Sequence, residues 1–187
     1  MRRSQVLVLA LLISVFLSST VAAELQYENL LQGMPEGYKI GSQKRQAKMR
    51  MIEMVPNSET VENWNEMLTT HIFFGNLPVS PDAFRQRMTD MWRNACKNSG
   101  DRLIESGIEN GYPFVLWSLS CPVNISTGRP ENTWFKAIKG NDSFYVVQKA
   151  WKREPSQKEL VEWMQYLKKV SVCDTRIPKQ ACPKVTR

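Results

Sequence analysis

The chain has a single histidine, His71, among 187 residues. That excludes the usual histidine-rich zinc sites, and any Ser-His-Asp or Cys-His device would have to be built on this one imidazole. No G-x-S-x-G elbow is present, and the four cysteines contain no Cys-x-x-Cys pair. Internal repeats are lacking as well. So is any apolar run of the roughly twenty residues that a membrane-spanning helix needs.

The longest apolar run, Val6 to Leu17, is broken only by Ser14 and lies behind Arg2 and Arg3. Val21-Ala22-Ala23 then places small residues before Glu24. A positive start, a short apolar stretch and a small-residue cut site make a secretory signal over residues 1–23, with an uncleaved anchor as the alternative. Gln5 and Val6 fit a twin-arginine signal poorly, and no cysteine near the cut invites a lipid. The expected mature chain suits one domain with a sizeable core. Periplasmic or secreted is the expected location.

Formal charge is +7, and hydrophobic residues make up 42%. Losing Arg2 and Arg3 with the signal leaves a modest basic excess, which favours acidic partners or an anionic envelope surface. It is too small to imply nucleic-acid binding. The partner expected is an unknown protein or anionic envelope component, and no transmembrane segment is expected after the signal.

Residues 24–36 lack periodicity and read as a loosely packed arm. Gly37–Ser42 and Lys48–Val55 read as strands separated by the polar run Gln43 to Gln46. Val61, Trp64, Met67 and Leu68 have helical spacing behind Ser58 or Thr60, and His71–Phe74 reads as a short strand. A second helix opens with Ser80 as cap, Pro81 and Asp82, its buried stripe being Phe84, Met88, Met91, Trp92 and Ala95. Arg102–Glu109 and Tyr112–Cys121 flank Asn110-Gly111, a strong hairpin signal. Asn132–Lys139 and Phe144–Lys152 make a second hairpin. A capping box, Ser156 with Glu159, starts a third helix with Leu160, Trp163, Met164, Leu167 and Val170 on its apolar face. From Ser171 the tail reads as irregular, and 173–187 as a basic tail tied by a disulfide.

Phe114-Val115-Leu116-Trp117 is apolar on both sides, so helices must cover both faces of the sheet. The expected fold is therefore α/β of the α+β type, a three-layer α/β/α sandwich over residues 37–172 around a largely antiparallel sheet. A two-residue turn at Asn110-Gly111 sets Cys121 opposite Gly100, within reach of Cys96 at the end of the second helix. That leaves Cys173 to pair with Cys182. The first bridge closes a loop worth about 3 kcal/mol in the chain-entropy model. Free or metal-binding thiols are the alternative.

Met51-Ile-Glu-Met-Val-Pro-Asn-Ser-Glu-Thr-Val-Glu-Asn-Trp64, Glu109-Asn-Gly-Tyr-Pro-Phe114, Trp134-Phe-Lys-Ala-Ile138 and Tyr145-Val-Val-Gln-Lys-Ala150 resemble segments of a group of small exported Gram-negative proteins without assigned activity. The cysteine positions fit that resemblance, which covers nearly all of the expected mature chain. It implies no catalytic residues. The order of elements, with Glu-Thr-Val-x-x-Trp after an early strand, also resembles the PsbP and Ran-binding Mog sandwich. That architecture implies a binding or assembly role rather than an enzyme.

Candidate chemistry is sparse. Met49, Met51, Met54, Met88 and Met91 carry the thioethers that select Cu(I), but methionine also fills cores. Glu59 with Glu62, and Glu105 with Glu109, suit caps and solvated positions better than acid/base work. No cofactor or metal is expected. The sharper reading is one face of the second hairpin, where Trp134, Lys136, Tyr145 and Lys149 stand together with Ile138, Val147 and Trp151. Two lysines among aromatics suggest an anion-binding groove or a partner-docking site. The function expected is thus a non-catalytic binding or accessory module. An envelope-acting hydrolase with dispersed catalytic residues, or a metal or ligand carrier, is the alternative.

Overall fold

In a computed structural model the described residues run from 25 to 183. The expected signal segment, 1–23, and the end of the basic tail lie outside them. The elements are β1 (Glu28–Leu31), β2 (Tyr38–Gln46), β3 (Met49–Pro56), β4 (Glu66–Phe74), α1 (Pro81–Ala95), β5 (Gly100–Glu109), β6 (Tyr112–Asn124), β7 (Arg129–Lys139), β8 (Ser143–Trp151), α2 (Gln157–Lys169) and β9 (Ser171–Asp174). This is an α+β fold, a mostly antiparallel sheet with two helices. Seven strands pair in the order β2-β3-β4-β8-β7-β6-β5, and β1 pairs with β9 in a separate two-stranded sheet.

Alternation along the central strands sorts the core into two clusters. Leu116, Ile138, Val147 and Trp151 point to one side, where Trp163, Leu167 and Val170 of α2 and its C-terminal end meet them. Val115, Trp117, Phe135, Phe144 and Val146 point to the other, against Phe84, Met88 and Trp92 of α1. The aromatic payload is large on both sides, since each such ring buries more apolar area than an aliphatic side chain. Trp117 stacks on Phe135 at 4.7 Å between centroids, and Trp151 meets Trp163 edge to face at 6.4 Å.

Local signals place both helices. Ser80 accepts a hydrogen bond from the Ala83 amide, with Pro81 at the first helical position. At α2 the Ser156 side chain accepts from the Glu159 amide, and Glu159 accepts from the Ser156 amide. The Asn110-Gly111 turn has both residues at positive φ, 49° and 81°, as a type I′ hairpin turn requires. Only glycine takes the second of these without strain.

Several expectations are corrected. Val61 to Leu68 is not a helix. Glu59 instead turns back to accept from the Asn65 backbone and side-chain amides, and Glu66 already starts β4. Met67 and Leu68 are buried on opposite faces of a central strand, so their helical spacing was coincidental. The polar run Gln43 to Gln46 continues β2, because an edge strand needs no buried side chains. The arm and the tail each supply a strand, with Glu28↔Asp174 and Leu31↔Ser171 as the end pairs. Met91 lies outside the stripe of α1 and is 63% exposed. A bulge at Ile104 shifts the hairpin register by one, so Ser120 rather than Cys121 faces Gly100.

Cys96 and Cys121 still meet, with Cα atoms 5.9 Å apart, and Cys173 meets Cys182. Among the described residues no helix is long and apolar enough to cross a membrane.

Candidate binding groove

The register of β7 and β8 puts Lys136 opposite Val147, Trp134 opposite Lys149 and Ile138 opposite Tyr145. The four expected contact residues therefore share one face. That face lies beneath α2, however, and the lysines do not line an open anion site. Lys149 is 0% exposed and Lys136 is 2% exposed.

Each ammonium is satisfied from within. Lys136 donates to a Glu109 carboxylate oxygen at 2.6 Å and to the Val170 and Lys168 carbonyls at 2.6 and 3.3 Å. Those carbonyls end α2, so a cation sits where the helix dipole favours one. Lys149 donates to Glu66 Oε2 at 2.5 Å and to the Tyr38 hydroxyl. Its Nζ also lies over the rings of Trp163, Tyr38 and Trp151, at 4.1, 4.8 and 5.1 Å. Glu66 is joined to α2 through Arg153, which also pairs with Glu159. Two buried lysines thus tie the helix to the sheet, one at its C-terminal end and one beside Trp163. Tyr145 is buried and donates to Glu28 Oε1 at 3.0 Å.

Burial pulls the Lys149 ammonium down to about 8, with Glu66 opposing the shift. Burial likewise raises Tyr38, reinforced by its hydrogen bond to Glu66. Between pH 8 and about 10.4, the ordinary lysine value, the folded protein sheds the Lys149 proton while the unfolded chain keeps its own. The unfolded state binds more protons there, so this group makes stability rise with pH across that window. Above pH 10 the raised tyrosine contributes with the opposite sign. Urea denaturation from pH 7 to 11 should show the rise, and Lys149→Met should flatten it. An unchanged profile in that variant would disprove the assignment.

Trp134 is the member of the four that reaches an opening. A groove of about 510 Å³ runs between the flank of α2 and strands β5 to β7. Its apolar wall is Ile104, Trp134, Leu160, Val161 and Met164, and Ser118 adds a hydroxyl. Arg102, Lys168, Gln157 and Gln165 form the rim. On α2 these residues fall at spacings of three and four along one flank, beside the buried stripe of Trp163 and Leu167. Lys168 is shared with Glu105 at 2.9 Å, and among the described residues Arg102 has no ion-pair partner.

The groove residues other than Trp134, Leu160 and Met164 were not singled out in the sequence. Val161 was the available signal, an apolar residue one step off the core stripe and 47% exposed. A second cleft, of about 360 Å³, lies on the other flank beside Tyr38, Glu66, Glu159 and Trp163. Its inner carboxylates are engaged by Lys149 and Arg153.

His71 is half-buried on the α1 side, stacked on Phe73 at 5.9 Å, and burial lowers its pKa. It lines neither cleft. Met49 and Met51 stand opposite Phe73 and His71, while Met54 enters the core on the α2 side. Glu59 serves the loop before β4, and Glu105 and Glu109 pair with Lys168 and Lys136. Among the described residues no group of three His, Cys, Asp or Glu side chains could hold a metal ion.

No family model and no curated protein matches this chain. Solved structures do. The chain is similar to a mutant form of protein Mog1, with 12% identity, TM-score 0.45, and coverage of 73% of this chain and 78% of that one. The Ran-binding protein Mog1p of Saccharomyces cerevisiae shares 12% identity at TM-score 0.43, over 76% of this chain and 85% of its own. Cyanobacterial PsbP from Synechocystis shares 9% at TM-score 0.42, over 84% and 98%.

Proposed function

We propose that the protein is an exported, non-catalytic binding module whose groove beside α2 takes an apolar, acidic segment of a protein partner. The observation that carries this reading is the groove itself, with an apolar wall and a basic and amide rim. Concave apolar surface with a few convergent polar groups is what ligand sites share. The rim cation without an ion-pair partner among the described residues is the exposed Arg102, and a partner carboxylate would pair with it.

Of the four residues read from the sequence, Trp134 contacts the partner. Lys136, Tyr145 and Lys149 hold the face beneath it. The sheet is the middle layer of a three-layer α/β/α sandwich, with α1 and α2 outside. Two disulfides suit an oxidising compartment, so the partner belongs to the periplasm or the exterior.

A photo-crosslinking amino acid placed at Val161, with Asn94 on the exposed side of α1 as the control position, tests this in cells. A single protein adduct from Val161, absent from Asn94 and lost on Met164→Glu, is the expected result. Adducts only to lipid or glycan, equal adducts from both positions, or none at all would overturn it.

A further inference from the structure

The groove opens onto the sheet edge at β5, and that edge differs from its counterpart. β2, at the other end, carries Lys39, Lys44 and Arg45 and a bulge between Ile40 and Ser42. Charge and bulges are how edge strands avoid pairing. β5 has a bulge of its own at Ile104 and also carries charge, so the two edges differ in what their charges do: each β5 carboxylate is paired within the chain. Asp101 pairs with Arg85 at 2.7 Å, Glu105 with Lys168 at 2.9 Å and Glu109 with Lys136 at 2.6 Å. Toward solvent stand Arg102, the apolar Leu103 and Ile108, 47% and 76% exposed, and the paired but half-exposed Glu105 and Lys168, around the small Ser106 and Gly107.

Backbone geometry fixes which groups point outward. In a type I′ hairpin the closing pair, Glu109 and Tyr112, exchanges hydrogen bonds, and the pairs then alternate. Ile108 and Ser106 thus fall in the pairs that direct their amides and carbonyls away from β6. Pro113, opposite Ile108, has no N–H to give, as that position permits. Among the described residues neither the Ser106 nor the Ile108 amide finds a partner outside the sheet.

We infer that the partner segment binds as an extended strand added to β5, with a carboxylate at Arg102 and alternate apolar side chains entering the groove. This rests on the groove reading above and names its mode. Strand addition draws affinity from main-chain hydrogen bonds and specificity from pockets for every second side chain. A second copy of this chain fits the site less well, because it would bring another Arg102 to a basic surface.

The probe is a displayed library of random peptides, selected against the full disulfide-bonded protein. Enriched peptides should alternate apolar and polar residues and contain an acidic one. Ser106→Pro, which removes an outward amide and no hydrogen bond to β6, and Arg102→Glu should each weaken binding at least tenfold. Hydrogen exchange on the unaltered protein gives an independent measure: the Ser106 and Ile108 amides should exchange freely alone and slow when peptide binds.

Binding that is lost with Met164→Glu but insensitive to Ser106→Pro, without added protection at those amides, would overturn strand addition and leave the groove standing. Loss with neither variant, or no enriched peptide, would overturn both. A dimer that Ser106→Pro dissolves would assign the edge to a second copy instead.

Discussion

Glu66→Ala should destabilise the protein by about 3 kcal/mol, because removing one partner of a buried pair strands the other charge. The stranded group is the Lys149 ammonium, which is fully buried with Glu66 at 2.5 Å as its counter-charge. Glu66 itself keeps 21% of its side chain exposed, which holds the expectation at the low end of the range for such pairs. The surrounding rings of Trp163, Tyr38 and Trp151 offset part of the loss but cannot replace a carboxylate.

The pH dependence tells this apart from simple loss of packing. Without Glu66 the Lys149 value falls below 8, so the interval in which stability climbs with pH begins lower. Thermal denaturation at pH 6 and pH 9 should therefore show a larger deficit at pH 6. Adding Lys149→Met to Glu66→Ala should recover much of the loss, since a neutral side chain of similar length then occupies the aromatic slot. Equal deficits at both pH values, with no recovery, would mean that the ammonium is not the cause.

Trp117→Ala should cost about 4 kcal/mol, as for large aromatic deletions from a close-packed core. Trp117 is 0% exposed, stacked on Phe135 and met edge-on by Phe84 at 6.4 Å. It belongs to the cluster under α1, so the cavity would open between that helix and the sheet. Trp117→Phe should be far milder, because the buried indole N–H has no hydrogen-bond partner and its removal offsets part of the lost contact. Urea midpoints of the two variants check the contrast. Similar losses in both would show that the indole edge, not the ring volume, matters.

Where the chain's own neighbours decide the structure, it could be read directly. Asn110-Gly111, Ser80-Pro81-Asp82 and the Ser156–Glu159 box each act within a few residues, and each stands as expected. The face shared by Trp134, Lys136, Tyr145 and Lys149 followed from register alone. That a helix covers it was expected, but which one was not, because that depends on where α2 returns after Trp151.

The same limit hid β4. Met67 and Leu68 are claimed by β3 and β8, partners distant in sequence, and strand pairing overrode a local helical rhythm. Of the groove, the sequence yielded Trp134 and the α2 residues Leu160 and Met164 but not their opening, since its floor comes from three strands and its rim from both Arg102 and α2. β1 and β9 are too short to announce themselves, and each is a strand only because the other exists.

That pairing has a consequence for the order of assembly. Glu28 accepts hydrogen bonds from the Asn141, Asp142 and Ser143 amides, closing the β7–β8 turn with a residue from the start of the fold. Its strand finds its mate in Ser171–Asp174, which follows the seven-stranded sheet and both helices in the chain. β1 therefore has no mate until the segment beyond α2 is in place. The β1–β9 pairing fastens the two ends of the fold across its flank, and the adjoining Cys173–Cys182 bridge ties down the β9 end.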